Sequence, residues 1–139
     1  MYIYDCTGNN PVLRNFAMTI YEDVGGDATF RRLVDTFYTK IERDPILRPV
    51  FPSDLEPGKE RQFLFLAQYF GGPARYNELH GHPRLRMRHG HVAIGRREAQ
   101  AWLEAMLAAI DDVGIAEPGR SQMREYFERG ALFMMNQPV

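Results

Sequence analysis

Apolar side chains return every three to four residues in four long stretches of the chain, and no stretch alternates them with the strict period of a strand. After Gly25-Gly26, Phe30, Leu33, Val34, Phe37, Tyr38 and Ile41 fall on one helical face, with Asp27 placed to cap the start. Asp44-Pro45 ends that helix. Pro49 and Pro52 then predict an irregular connection and a corner, because each disfavours helix in the residue before it. Ser53 and Glu56 have the spacing of a capping box for a second helix, although Pro57 and Gly58 blur its first turn. Phe63, Leu66, Ala67 and Phe70 line this helix, with Gln62, Phe65 and Tyr69 alongside, and Gly71-Gly72-Pro73 stops it.

A polar loop should follow, and Pro83 restricts the next helix to a short one. A fourth helix is predicted over 96–112, carrying Ala99, Trp102, Leu103, Met106, Leu107 and Ile110. A fifth opens after Pro118-Gly119, with Ser121 as cap and Met123, Tyr126, Phe127, Ala131 and Met134 on its apolar side. The pattern predicts an all-α domain over 21–139, with residues 1–20 as an N-terminal extension that has room for one short helix.

Composition narrows this little. The chain has 139 residues, 45% hydrophobic and 25% charged, with a formal net charge of -1, so it presents no bulk field for nucleic acid or an acidic membrane. Its single cysteine, Cys6, excludes an internal disulfide and any multi-cysteine metal site. A lone cysteine near a terminus is ordinarily incidental. The first residues have neither a basic leader nor an unbroken apolar run, and the cytoplasm is the default expectation. Lysine occurs only at 40 and 59, which composition bias explains as well as function does.

Candidate chemistry concentrates in HGHPRLRMRHGH, residues 80–91, which holds all four histidines. A closed zinc site is a poor fit. There is no HExxH, the pairs His80/His82 and His89/His91 point to different sides of any helix, and Pro83 breaks the register between them. Arg84-Leu85-Arg86-Met87-Arg88 suits a different object: a short helix here would set Leu85 and a histidine against an apolar surface while arginines reach outward. Haem is such an object, with an iron that takes an axial imidazole and two propionates that arginine pairs with. Three helices also carry one hydrogen-bonding group each on an otherwise apolar face: Tyr38, Gln62 and Trp102. Each alone reads as an ordinary core or boundary residue. Together they could stabilise a diatomic ligand that gains negative charge in a dry pocket.

The run YNELHGHPRLRMRH (76–89), with FYTKIERDPILRPVFPSDL (37–55), FLAQYFGGP (65–73) and AWL (101–103), resembles the group II, or O-type, truncated haemoglobins over about residues 21–137. The resemblance implies the two-over-two globin fold, in which two helix pairs cross around haem b. It implies His89 as the iron ligand, and Tyr38, Gln62 and Trp102 in the distal cavity. Phe51 would pack on the haem at the corner, Arg61 and Arg88 would meet the propionates, and Tyr76 and His82 would lie near the haem edge. Leu55, Phe65, Leu66, Leu85 and Met106 would form pocket wall, while His80 and His91 read as surface polar residues. Gly58 stands where a globin's distal histidine is expected, which suggests an open side entrance. Phe51 stands where many relatives carry tyrosine, leaving Tyr38 freer to turn toward a ligand.

The functional expectation is reversible binding of O2, NO or CO, serving NO or peroxide chemistry with an external reductase. An alternative is an oxygen carrier or sensor whose residues 1–20 dock a partner or form a homodimer. A haem-free helical interaction module is the third reading, and it leaves Gln62 and the arginine-flanked His89 as accidents.

Overall fold

The computed structural model describes residues 18–90 and 92–136, with the backbone alone for Arg86 and Arg88. Among these the fold is all-helical: α1 (Ile20–Val24), α2 (Gly26–Arg43), a 3-10 turn (Arg48–Val50), α3 (Glu56–Tyr69), α4 (Arg75–His80), α5 (Leu85–Arg88), α6 (Arg96–Val113) and α7 (Gly119–Met134). The long helices form the frame. α2 packs on α3 and α6, and α6 packs on α7, so the short α4 and α5 are left bridging the open end.

The buried faces are those the spacing predicts. Phe30, Leu33, Phe37 and Ile41 of α2 are fully buried against Phe70 at the end of α3, Met106 and Ile110 of α6, and Met123 and Phe127 of α7. Burying a side chain of this size contributes roughly 1.5–3 kcal/mol, so the four-helix core carries the stability. A smaller cluster of Ile94, Ala99 and Ala131 joins the segment after α5 to α6 and α7.

The caps differ from the spacing in instructive ways. α1 has a full capping box: the Thr19 hydroxyl accepts from the Glu22 amide at 3.1 Å, and the Glu22 carboxylate accepts from the Thr19 amide at 3.0 Å. Gly25, at φ 117°, then ends α1 and starts α2 without a linker; a Cβ there would lie 2.3 Å from the Thr29 hydroxyl oxygen. Asp27 does not cap α2. Its carboxylate accepts from both terminal nitrogens of Arg75, at 3.1 and 2.7 Å, and from the Tyr21 hydroxyl at 2.6 Å, tying α4 to the start of the frame. At α3 the acceptor for the Glu56 amide is Asp54 rather than Ser53, at 3.1 Å. At α7 Ser121 donates its amide and hydroxyl to Glu117, which takes the capping role from it.

Residues 75–80, expected within a polar loop, form α4. The helix has six residues and buries only Tyr76, so it has no period to read; Gln68 accepting from the Asn77 amide at 2.9 Å and the Asp27–Arg75 pair hold it from outside. The expectations for residues 1–17, Cys6 and His91 lie outside the described residues. No described helix is long and apolar enough to cross a membrane.

Candidate functional site

A cavity of about 370 Å³ opens between the frame and the short helices. That volume falls in the range of about 300–1,000 Å³ usual for small-molecule and cofactor sites. Tyr38 comes to it from α2, Gln62 from α3 and Trp102 from α6, so the three polar residues do converge on one space. Phe51 and Leu55 reach it from the corner, Arg61, Phe65 and Leu66 from α3, Tyr76 from α4, and Leu85 and His89 from α5 and its end.

One residue expected in the wall, Met106, and one expected near the haem edge, His82, are not among the residues that line the cavity. Met106 is fully buried in the four-helix core and does not line the cavity, although at four residues past Trp102 it shares that residue's face of α6. His82 is exposed outside the lining, where its Nδ1 accepts from the Arg84 amide at 3.2 Å. His80 is exposed, with its ring tilted against Tyr76 at a centroid distance of 5.1 Å. The Arg88 side chain falls outside the described atoms.

Tyr38 is 5% exposed and stands edge-on to Phe37 and Phe51, with ring centroids at 5.6 and 5.9 Å. These contacts fix its ring from two sides. Burial pushes its phenol up to about 12, against a weaker downward pull from the Arg61 guanidinium. It therefore stays a protonated donor at any physiological pH. Trp102 is wedged between Phe37 at 5.3 Å and Phe127 at 5.8 Å. Gln62 has a buried Oε1 without a hydrogen-bond partner. An orphaned buried amide oxygen costs about 1–3 kcal/mol, so its presence on a cavity wall points to a partner that enters the cavity. A half-turn of the amide would set the donating Nε2 in the same place.

His89 occupies the opposite chemical role. Its Nδ1 lies 2.7 Å from the Leu85 carbonyl oxygen, which can only accept. Nδ1 therefore carries a proton, and in the neutral ring it is Nε2 that has the lone pair, in a residue that lines the cavity. Among the described residues no cluster of three or more histidine, cysteine or carboxylate groups could hold a metal by itself, so the single free imidazole nitrogen is the donor that the site offers.

These features fit a haem. The walls are mainly aromatic and aliphatic, one imidazole nitrogen is free, an arginine stands at the edge, and an unsatisfied amide faces the interior. Sequence reasoning missed the contribution of α7 and of the segment after His89: Val92, Ile94, Phe127, Gly130 and Met134 also line the cavity. Helical periodicity marked Phe127 and Met134 as buried but not Gly130, and it cannot separate a face that meets a cavity from one that meets another helix.

Known proteins of the same shape carry the same arrangement of helices. The family described as bacterial-like globin matches residues 19–136. Group 2 truncated hemoglobin YjbI of Bacillus subtilis is 44% identical over 117 residues, covering 84% of this chain and 88% of its own length. The hemoglobin of the thermophilic phototroph Chloroflexus aurantiacus superposes with a TM-score of 0.85 at 62% identity, over 86% of this chain and 99% of that one. The group II truncated hemoglobin of Bacillus anthracis does so with a TM-score of 0.85 at 43% identity, over 88% of this chain and 99% of that one.

Proposed function

Because the chain belongs to the bacterial-like globin family, as a group II truncated haemoglobin in a lineage that binds haem and dioxygen, we propose that it holds haem b on His89 and binds dioxygen beside Tyr38, Gln62 and Trp102. The observation that carries this reading is the pairing, in one cavity, of an imidazole whose Nδ1 is committed to Leu85 with a Gln62 oxygen that has no partner.

When bound, haem supplies an iron that takes diatomic ligands and exchanges electrons. The chain's part is to hold, orient and exclude. The Nδ1 hydrogen bond to Leu85 keeps the His89 ring from turning and presents Nε2 in the form that can donate an electron pair. Leu85, Phe65, Leu66 and Phe51 would shield the site from water, and Arg61, which lines the cavity, would pair with a carboxylate of the bound group. Tyr38, Gln62 and Trp102 supply donors to the ligand, with Tyr38 keeping its proton up to about pH 12.

Donation from Tyr38, Trp102 and a turned Gln62 amide would slow release, which suits reaction of the held oxygen with nitric oxide, or peroxide chemistry, better than delivery. Turnover of that kind draws electrons from an external reductase. Absorption spectra before and after dithionite and then CO, beside His89→Ala, test the haem reading. A Soret band that shifts with CO and is disturbed in the variant supports it; a chain that takes up no supplied haem defeats it. NO consumption with a reductase present separates the enzyme from a carrier.

A further inference from the structure

The imidazole that lines the cavity sits on the least self-sufficient part of the fold. α5 has four residues, fewer than the length at which a helix holds itself in water. Its N-cap, Arg84, adopts φ 45°, a left-handed conformation unfavourable for a residue with a Cβ. His89 closes the helix, with its amide bonded to the Leu85 carbonyl at 3.1 Å, and the chain then leaves as an irregular segment toward α6. Something outside this segment must hold it.

That role falls to one residue just past the end of α7. The Asn136 side chain accepts from the Ile94 amide at 2.8 Å through Oδ1 and donates through Nδ2 to the Val92 carbonyl at 2.8 Å, with a longer contact to the His89 carbonyl at 3.4 Å. Its own amide donates to the Ile94 carbonyl at 2.8 Å. Both polar ends of one amide are thus spent on backbone groups 42 to 47 residues away. Ile94 is buried beside Ala99 and Ala131, so the clasp is fastened to the α6–α7 frame.

We propose that Asn136 is a positioning residue for His89: it ties the carbonyl side of the imidazole's segment to the frame, as Leu85 ties the ring. This rests on the reading of His89 as the iron ligand. Removing the Asn136 amide leaves the Val92 carbonyl and the Ile94 amide without their partners and lets the His89 backbone shift relative to the cavity. Outer contacts that orient a metal-bound histidine change metal affinity by about 10- to 100-fold when lost. Asn136→Asp is the sharper change, since it keeps the shape and the acceptor for Ile94 and sets a carboxylate oxygen against the two carbonyls.

The experiment uses the haem-loaded full chain as wild type, Asn136→Ala, Asn136→Asp, His89→Ala, and Leu132→Ala as a control exposed near the same end of α7. Resonance Raman of the ferrous, ligand-free protein reads the iron–imidazole stretch, and transfer of haem to an excess of an apoglobin acceptor reads its loss. Far-ultraviolet circular dichroism checks that each variant keeps its helices. The expected result is a shifted or broadened stretch and haem loss at least about 10-fold faster in both Asn136 variants, with Leu132→Ala unchanged and the stretch abolished in His89→Ala. An unchanged stretch and loss rate in the Asn136 variants, with the stretch abolished in His89→Ala, overturns the positioning role alone. A stretch that survives in His89→Ala overturns the ligand assignment itself, and the positioning role with it.

Discussion

A Cβ added to Gly58 would stand 3.0 Å from the Tyr38 hydroxyl oxygen, so the missing side chain on α3 and the phenol on α2 share one small space. Gly58 leaves less of an opening than its composition suggests, because Tyr38 fills part of it and the Arg61 guanidinium lies 4.0 Å from the same point. The glycine gives the phenol its seat.

Gly58→Ala should therefore act through Tyr38. The hydroxyl must move by a few tenths of an ångström, and if it donates to the ligand as proposed, oxygen dissociation should quicken by several-fold, up to the factor expected for Tyr38→Phe. Gly58→Phe should in addition slow ligand entry in flash photolysis. Unchanged entry in Gly58→Phe would mean that ligands come in elsewhere.

Tyr38→Phe, Gln62→Leu and Trp102→Phe each remove one donor without opening a large hole. A neutral hydrogen bond is worth about 0.5–1.5 kcal/mol, so each should speed oxygen dissociation by about 2- to 10-fold in stopped flow. Tyr38 keeps its ring contacts with Phe37 and Phe51 in the phenylalanine variant and loses only the hydroxyl, so its effect should be the least confounded by packing. Three unchanged rates would end the case for these donors.

Alkali should loosen the fold in a defined window. Free tyrosine titrates near 10, whereas burial raises Tyr38 to about 12 and drives Tyr126 upward as well, with Tyr69 beside it adding to the rise. Between these values the unfolded chain has given up protons that the folded chain keeps. Stability that is complete below pH 10 is therefore lost as the pH climbs toward 12, by about 1.4 kcal/mol per pH unit for each buried tyrosine. Urea midpoints at pH 9, 10 and 11 measure the slope, and Tyr38→Phe or Tyr126→Phe should flatten it. Slopes equal to wild type in both variants would assign the loss to other groups.

Gly119 opens α7 where it crosses α1, and a Cβ there would lie 2.6 Å from a Val24 methyl. Gly119→Ala should cost about 1–3 kcal/mol through overpacking, read as a lower urea midpoint with an unchanged haem spectrum. A midpoint equal to wild type would show that α1 can slide away at no cost.

The four long helices were legible because each spans at least three turns with one apolar face, which is enough repetition to carry a period. α1, with five residues, and α4, with six, were not, because outside partners hold them: the Phe70 carbonyl accepting from Tyr21 at 2.8 Å for one, Asp27 and Gln68 for the other. In the site, Tyr38, Gln62 and Trp102 could be read from polar groups on apolar faces, and His89 from its setting in a recognisable run. Asn136 could not. Its part is defined by bonds to a segment more than 40 residues away, and an asparagine just past a helix has no local pattern that separates a clasp from a solvated end. Met106 and Met134 show the same limit from the other side. Both lie on apolar faces, and only the crossing of α6 and α7 decides that the second meets the cavity and the first does not.

The chain has one tryptophan, and it sits on the cavity wall in ring contact with Phe37 and Phe127. Its emission is therefore a local signal. Light absorbed by that indole comes back from one place in the molecule, and a porphyrin held in the cavity it lines would drain the excitation before it is emitted. Once purified, the protein carries its own optical gauge of how far its central chamber is filled, readable without a label.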